Sequence, residues 1–155
     1  MHIGIIGCGQ LARMMALAGW DMGIRFSFLA EQGETQRCVE GLGPVTTRQQ
    51  NESAREIYLG LGEPDVVTIE REHVDTALLH ELKEFCRVYP DPDFVSNCRD
   101  RLLEKEMLGR LGIPTAPYMA ADSGPQVADA VEHLGLPVVV KTRREGYDGK
   151  GQWRI

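Results

Sequence analysis

A stretch near the end of the chain, VVVKTRREGYDGKGQ, combines basic side chains with closely spaced glycines. Lys141 follows an apolar run that is typical of a buried strand, so its ammonium would emerge at the end of a rigid element and could bind polyphosphate. Gly146, Gly149 and Gly151 would let the next loop fold over that ligand and offer it N–H groups. The spacing differs from that of a P-loop. A phosphate site is therefore predicted, and a flexible hairpin with surface charges is the alternative.

The start of the chain, GIIGCGQLA, is a second motif that could bind a ligand. Two glycines spaced G-x-G after an apolar run let the backbone turn tightly and bring N–H groups to the positive end of a helix. Ala12 stands at the third glycine position of the dinucleotide fingerprint, where alanine is permitted. Glu31 follows the next predicted strand, where an acid would bind a ribose. A nicotinamide-binding module and an ordinary strand-to-helix turn both stay open.

The segment DVVTIEREHV places Glu70 and Glu72 after an apolar run that predicts a strand. Ligands of open α/β sheets bind in the crevice outside the carboxyl ends of the strands. Side chains two residues apart on a strand point the same way, so both acids could face that crevice. Glu70 lies nearer the predicted strand end and is the better candidate. Glu72 is interpreted as a solvated residue after the strand.

Alternating apolar runs and helical patterns predict the scaffold that positions these residues. Strands are predicted in the segments HIGII, GIRFSFLA, DVVTIE and RVY. The buried face of the first helix is predicted from apolar residues at helical spacing, which are Leu11, Met14, Met15 and Ala18. Strands that alternate with helices indicate a parallel sheet with helices on its faces. The polar stretch 31–50 is expected to hold a short helix and an edge strand near Val45.

The segment YPDPDF predicts a break in the chain. Pro90 and Pro92 are expected to end the preceding strand and to hold the backbone extended, and a domain boundary is placed near residue 95. A helix with apolar residues at four-residue spacing is expected next, followed by a second helix and the strand LPVVVKT. The stretch GYDGKG is expected to form the turn of a hairpin whose second strand begins at Gln152.

The composition is that of a folded globular protein. The 155 residues are 43% hydrophobic and 26% charged, and the net charge of −6 argues against a general nucleic-acid or membrane-surface binder. No apolar stretch approaches the roughly 20 residues that span a bilayer, and signal-peptide features are missing, so a cytoplasmic location is expected. The four cysteines show no C-x-x-C pairing, so neither a zinc site nor a redox motif is expected.

Four motifs, by their order and spacing, carry a family resemblance: GCGQLARM, DVVTIEREHV, DRLLEKEMLGRLGIPTAPY and GYDGKGQ. With them the chain resembles the amino-terminal part of the N5-carboxyaminoimidazole ribonucleotide synthetases, which are ATP-grasp ligases of purine biosynthesis. The resemblance implies an α/β fold. In it a Rossmann-like pre-ATP-grasp domain with a parallel sheet, residues 1–95, precedes the incomplete first part of an ATP-grasp domain, residues 96–155.

The same resemblance implies a reaction. ATP, bicarbonate and 5-aminoimidazole ribonucleotide would give the N5-carboxylated ribonucleotide, ADP and phosphate. Bicarbonate would first be phosphorylated to carboxyphosphate, and the substrate amine would then capture the activated carbon. Mg²⁺ would bridge phosphate oxygens, and a glycine-hinged lid would keep water away from the reactive intermediate.

The resemblance also assigns roles to individual residues. Arg101 and Lys141 match nucleotide-binding positions of the family. Gln10, Leu11 and Glu70 match positions that hold the ribonucleotide substrate in related enzymes. The phosphate-covering loop is matched by seven consecutive residues, which are Gly146, Tyr147, Asp148, Gly149, Lys150, Gly151 and Gln152. A role toward the substrate is also open for three of these, which are Tyr147, Asp148 and Lys150.

The chain departs from the family pattern at two positions and in length. Ala12 stands where the family usually has glycine, and only a shift in packing is expected from its methyl group. Arg71 stands where the family usually has an aromatic residue, so different local pairing is expected there. Lys105, one helical turn after Arg101, is interpreted as helix surface. The family chain is much longer, and its adenine pocket and magnesium ligands lie in the part that is absent here. The 155 residues alone are therefore expected to be inactive, and the full-length protein is expected to be a homodimer.

Three other hypotheses stay open beside this ligase. One is a different ATP-grasp ligase, such as the formate-dependent glycinamide ribonucleotide transformylase. Another is the nicotinamide-binding module that the first glycines suggest. The last is a non-catalytic regulatory or interaction domain that derives from a ligase.

Overall fold

The computed structural model describes residues 1–144, 146 and 149–155. The chain divides into two compact units, Met1–Val95 and Ser96–Ile155, which we call unit 1 and unit 2. None of the helices in the described part of the chain combines the length and the apolar character that a membrane span requires.

Unit 1 is built on a five-stranded parallel sheet. Its strands are β1 (His2–Ile6), β2 (Arg25–Ala30), β3 (Val45–Thr47), β4 (Val66–Ile69) and β5 (Arg87–Tyr89). They lie in the order β3-β2-β1-β4-β5, and every neighbouring pair is parallel. The predicted Rossmann-like sheet is therefore confirmed, including the edge strand near Val45. Because the strand order reverses between β1 and β4, the crevice for a ligand is expected at their carboxyl ends.

Short helices connect these strands. They are α1 (Gln10–Trp20), a 3₁₀ helix (Arg37–Val39), α2 (Ala54–Gly60) and α3 (Thr76–Leu82). The 3₁₀ helix confirms the short helix that was expected in the polar stretch 31–50. Side chains just before α2 and α3 accept hydrogen bonds from the first backbone N–H groups, and these caps fix where each helix begins.

Apolar residues cover the sheet on both faces. Successive residues of a strand point to opposite faces. Ile5 accordingly packs in a cluster with Ala12 and Ala16 of α1, whereas Ile6 packs in a second cluster with residues of α2 and α3. Burial on both faces explains why the strands are continuous apolar runs in the sequence.

The buried face of α1 differs from the predicted one. Ala12, Ala16 and Gly19 are buried, whereas Leu11 and Met14 are 49% and 62% exposed. A Cβ added to Gly19 would lie 2.5 Å from the Phe26 ring, so the helix approaches the sheet too closely for larger residues. The prediction of a Leu11 and Met14 stripe was wrong because close packing selects the small residues of the helix.

The segment after β5 also differs from its prediction. Pro92 begins the helix α4 (Pro92–Cys98) and does not hold the backbone extended. Proline is well suited to the first position of a helix, and the Asp91 carboxylate accepts a hydrogen bond from the Asp93 N–H at 3.0 Å. The helix continues past Val95, the last residue of unit 1.

The described part of unit 2 contains two helices and an antiparallel hairpin. Its elements are α5 (Arg101–Arg110), α6 (Gly124–Leu134), β6 (Val139–Lys141) and β7 (Gln152–Arg154). Lys141 lies opposite Gln152, so the predicted hairpin and the start of its second strand are confirmed. Among the described residues of this unit, Ala130 is the one buried apolar residue and Asp100 the one buried charged residue.

Candidate functional site

Glu70 lies directly after β4, and its carboxylate reaches the first turn of α1. The Gly9 N–H donates to Oε1 and Oε2 at 3.0 and 2.9 Å, and the Ala12 N–H donates to Oε2 at 2.9 Å. The first N–H groups of a helix have no partner inside the helix, and the helix dipole favours negative charge there. Because Gly9 has no side chain that could cap α1, Glu70 supplies the cap from a neighbouring strand.

Two glycines make room for this carboxylate. Gly7 has a φ of 113°, which favours glycine, and a Cβ added there would lie 2.4 Å from Cγ of Glu70. A Cβ added to Gly9 would lie 2.6 Å from Oε1 of the same side chain. The G-x-G spacing therefore serves the approach of Glu70 to the backbone.

This arrangement argues against dinucleotide binding. In the dinucleotide fold the pyrophosphate accepts hydrogen bonds from the N-terminus of the first helix. Here the Glu70 carboxylate accepts them, and its charge would repel a second anion. Glu31, the acid that could have bound a ribose, pairs instead with Arg48 at 3.4 Å.

Gln10 and Leu11 lie beside Glu70 in this crevice of unit 1. They are the first two residues of α1, and both are exposed. Glu70 is partly buried, and among the described residues its Oε1 atom accepts only a shared hydrogen bond from Gly9, so it has capacity left for a ligand. The structure thus brings together the three residues that were predicted to hold the ribonucleotide.

Glu34 is a residue of this crevice that sequence reasoning missed. Its side chain is only 12% exposed and accepts hydrogen bonds from the N–H groups of Cys8 at 3.1 Å and Glu31 at 2.9 Å. Arg71, which replaces the aromatic residue usual in the family, pairs with Glu34 at 3.4 Å. The local pairing therefore differs from the family pattern, as expected. The sequence carries no signal for these contacts because they join three separate segments.

Cys8 is buried beside these acids. Burial, followed by the charges of Glu34 and Glu70, raises the pKa of its thiol to about 12. The thiol therefore stays protonated near neutral pH and is not an activated nucleophile.

Unit 2 contains a cavity of about 520 Å³. Arg101 at the start of α5 and Lys141 at the end of β6 both line it, together with Arg143. Most of the remaining wall is apolar or aromatic and includes Leu102, Tyr118, Met119, Leu134 and Val138. A cavity with several cations and an apolar wall fits a ligand that has both phosphates and a flat apolar group.

Lys105 lines the same cavity, in contrast to its interpretation as helix surface. Its ammonium donates to the carbonyl of Ala116 at 3.4 Å and lies 5.3 Å from the ring centre of Tyr118. Residues four apart lie on one face of a helix, so Lys105 follows Arg101 into the cavity. That spacing was the signal that could have placed it.

Arg101 connects helix α5 to the segment that follows Lys141. Its guanidinium donates to the carbonyl of Thr142 at 3.1 Å and to the carbonyl of Gly146. Its own N–H donates to the carbonyl of Arg143 at 3.0 Å. A predicted nucleotide-binding residue thus also holds the beginning of the glycine-rich loop in place.

The described part of the glycine-rich loop needs two of its glycines. Gly149 and Gly151 have φ values of 80° and 64°, and a Cβ on Gly151 would lie 2.5 Å from Oγ1 of Thr142. Lys150 is exposed, and Gln152 begins β7. Two further predicted loop residues, Tyr147 and Asp148, lie outside the described residues. The assignment of this loop to phosphates stays a prediction.

Asp100 is a second residue that sequence reasoning missed. It precedes α5 and accepts hydrogen bonds from the N–H groups of Leu102 and Leu103 at 3.0 and 3.4 Å. Its carboxylate also binds Arg143 through two hydrogen bonds and Arg144 through one. An acid before a helical pattern is a known capping signal, but its burial and its arginine partners could not be inferred from it.

The chain has 23 acidic side chains, four histidines and four cysteines, which are the residue types that bind metal ions. Within the described residues, no three His, Cys, Asp or Glu side chains lie together in a way that could hold a metal ion.

Models of known protein families match both units of the chain. The model of the ribonucleotide synthetase preATP-grasp domain matches residues 1–98, and the model of the ATP-grasp domain matches residues 106–155. An N5-carboxyaminoimidazole ribonucleotide synthase from Pseudomonas aeruginosa is 40% identical over 152 residues, which are 98% of this chain and 41% of the relative.

Solved structures show the same similarity. The N5-carboxyaminoimidazole synthetase from Staphylococcus aureus, complexed with ADP, matches with a TM-score of 0.87 and 32% identity over 99% of this chain and 41% of that one. The enzyme from Aspergillus clavatus, in complex with ADP and 5-aminoimidazole ribonucleotide, matches with a TM-score of 0.79 and 25% identity over 99% of this chain and 40% of that one.

The matched relatives are much longer than this chain. The chain spans about two fifths of the length of the relatives that it matches. Nearly the whole chain takes part in each match, so the resemblance inferred from the four motifs is confirmed. The preATP-grasp model alone covers more than half of the chain. The chain therefore belongs to the ribonucleotide synthetase preATP-grasp family.

Proposed function

We propose that this chain is part of an ATP-dependent ligase that carboxylates 5-aminoimidazole ribonucleotide with bicarbonate and releases ADP and phosphate. The observation that carries the proposal is the cavity of unit 2, where Arg101 and Lys141 lie together although they are far apart in the sequence. Relatives that match nearly the whole chain are named for N5-carboxyaminoimidazole ribonucleotide, the product of this reaction, and one was solved with ADP.

The proposed role of unit 2 is to hold the phosphates of ATP. Guanidinium and ammonium groups on a helix start and a strand end are fixed donors for phosphate oxygens. The residues from Gly146 to Gln152 are proposed to cover these phosphates, as the resemblance implies. Exclusion of water would protect carboxyphosphate, which hydrolyses readily.

The proposed role of unit 1 is to hold the ribonucleotide. Glu70 can accept a hydrogen bond from the substrate amine through its Oε1 atom. Gln10 and Leu11 present backbone N–H groups of the first helical turn, which have no partner inside the helix. Glu70 would thereby orient the amine, which is the nucleophile of the carboxylation, and the two N–H groups would donate to acceptor atoms of the ribonucleotide.

Other parts of the proposal rest on the resemblance alone. Mg²⁺ is proposed as the ion that neutralises phosphate charge, but none of its ligands is assigned to this chain. Residues 1–95 are proposed as the pre-ATP-grasp domain and residues 96–155 as the start of the ATP-grasp domain. The full-length enzyme is proposed to be cytoplasmic. It is also proposed to be a homodimer, which light scattering of the purified protein would test.

Phosphate release by the full-length product of the gene tests the proposed reaction. With ATP and Mg²⁺ present, release should require 5-aminoimidazole ribonucleotide and bicarbonate together, and the carboxylated product should be detected by mass spectrometry. Release that depends on glycinamide ribonucleotide and formate would overturn the proposal in favour of the transformylase. The purified 155-residue chain should release no phosphate above the blank.

A further inference from the structure

Asp100 is the one charged side chain that is buried in the described part of the chain. Its residue exposure is 1%, and the unit that contains it has Ala130 as its only buried apolar residue among those described. A buried charge destabilises a folded protein unless it is paired and hydrogen-bonded. The burial of Asp100 in a unit with so little apolar core therefore indicates a specific role for its charge.

The carboxylate oxygens of Asp100 are fully used by the protein. Oδ1 accepts from the N–H groups of Leu102 and Leu103 and from Nε of Arg143 at 3.0 Å. Oδ2 accepts from Nη2 of Arg143 at 2.8 Å and from Nε of Arg144 at 3.3 Å. Five donors leave no lone pair for a ligand, so Asp100 does not bind one directly.

These contacts join the two sides of the cavity in unit 2. The N–H contacts fix the start of α5, from which Arg101 projects, and the guanidinium contacts fix Arg143 and Arg144 shortly after Lys141. Arg101 adds its own hydrogen bonds to the carbonyls of Thr142 and Gly146. Asp100 is therefore placed to set the separation between the two proposed phosphate-binding cations.

Stability alone does not account for this arrangement. The uncharged side chain of Ser123 caps α6 in the same unit, so a helix cap needs no buried charge. Apolar residues often replace buried ion pairs without loss of stability. We propose that Asp100 is a positioning residue of the nucleotide site, which holds Arg101 and Lys141 at the spacing that the phosphates of a nucleoside triphosphate require. This inference rests on the proposed function.

The test is the substitution D100N in the full-length protein. Asparagine also caps helices, so the variant keeps the start of α5 but loses the charge that binds Arg143 and Arg144. The KM for ATP should rise about ten-fold, while kcat and the KM for 5-aminoimidazole ribonucleotide should stay within about two-fold, because only the phosphate-binding groups shift. A purely structural role would not separate the two KM values.

The matched control is D75N in unit 1. Asp75 also caps a helix, α3, and also pairs with an arginine, Arg48, at 2.8 Å. It is partly exposed and does not line the cavity of unit 2. D75N should therefore leave the KM for ATP unchanged, and an equal rise in both variants would overturn the inference.

A double-mutant cycle separates positioning from direct contact. Arg143 lines the cavity, so R143A should also raise the KM for ATP. If Asp100 acts by holding Arg143, the double variant D100N and R143A should be no worse than R143A alone. Penalties that multiply would overturn the inference. Should D100N fail to fold, R143K, which keeps the charge but loses the paired hydrogen bonds, should show the same selective rise.

The outcomes distinguish this inference from the proposed function. An unmodified protein without ATP-dependent carboxylation would overturn both. An active unmodified protein with an unchanged KM for ATP in D100N would overturn only the positioning role of Asp100. A selective rise in D100N, absent in D75N, supports it.

Discussion

The two units hold their candidate ligand residues by different means. Of the 21 buried apolar residues in the described part of the chain, 20 lie in unit 1, so the crevice around Glu70 stands on a large apolar core. Unit 2 has only Ala130, and its cavity is organised around the ion pairs of Asp100. Changes in packing should therefore matter most in unit 1, and changes of charge most in unit 2.

The two carboxylates show the same contrast at a smaller scale. Glu70 and Asp100 each cap the start of a helix that carries candidate ligand residues. Glu70 accepts from the backbone of Gly9 and Ala12 and keeps capacity on Oε1, whereas Asp100 accepts from two arginines and is saturated. Glu70 thus keeps capacity for a further donor, whereas the oxygens of Asp100 are all used by its protein neighbours.

The largest expected effect is that of G7A in unit 1. The new methyl group would collide with Glu70 at a φ of 113°, so the free energy of unfolding should fall by about 3 kcal/mol or more. G23A is the control: its φ is 70°, but no described atom lies within 4 Å of the added Cβ, so about 1 kcal/mol is expected. Urea denaturation of both variants measures the difference. Equal losses would mean that Glu70 does not pack against the turn.

The next effect compares the packing of the two units directly. Ala16 is fully buried between α1 and the sheet, so A16L should cost about 1–3 kcal/mol through overpacking. Ala130 is 9% exposed in a unit with little apolar core, so A130L should cost less than about 1 kcal/mol. Denaturant titration followed by circular dichroism gives both values. A larger cost for A130L would contradict the contrast between the cores.

The elements of unit 1 could be predicted from sequence because continuous apolar runs and turn residues mark buried parallel strands. The buried face of α1 could not be predicted. Leu11 and Met14 have the spacing of a buried stripe, but the short distance between helix and sheet selects smaller residues for burial. The helix α4 could not be predicted either, because Pro92 is compatible with both an extended segment and the start of a helix. Local patterns give the period of an element but not its neighbours.

The candidate sites divide in the same way. Motifs and the resemblance suggested Arg101 and Lys141 as partners, and the structure places them on one cavity. Glu34 has no such signal, and Asp100 shows only that of a helix cap, because their buried contacts join distant segments. The missed residues are those that hold the site, and they are visible only once the chain is folded.

A smaller effect separates the two carboxylates by substrate. In the full-length protein, E70Q should raise the KM for 5-aminoimidazole ribonucleotide about ten-fold, or about 1.4 kcal/mol, because a neutral amide accepts a weaker hydrogen bond from the amine than a carboxylate does. Its KM for ATP should not change, which is the reverse of the result expected for D100N. Steady-state kinetics with each substrate varied in turn measures both. A common rise in one KM would show that the two acids serve the same ligand.

The smallest effect is the pH dependence that Asp100 confers on stability. Hydrogen bonding to Arg143, against the opposing effect of burial, holds the pKa of this carboxyl below its ordinary value of 3.8. A folded-state pKa below the unfolded value means that the charged form stabilises the folded chain. That contribution is complete above about pH 4 and is lost as the pH falls through the lower folded-state pKa.

The difference in free energy of unfolding between the unmodified chain and D100N measures this contribution. The difference should be constant between about pH 5 and 7 and should shrink below about pH 4, because the protonated acid and the amide both lack charge. D75N provides the comparison in unit 1, where bonding to Arg48 also lowers the pKa of Asp75. Because Asp75 is more exposed than Asp100, its difference should be smaller at every pH. A difference for D100N that persists unchanged below pH 4 would mean that the charge of Asp100 does not hold unit 2 together.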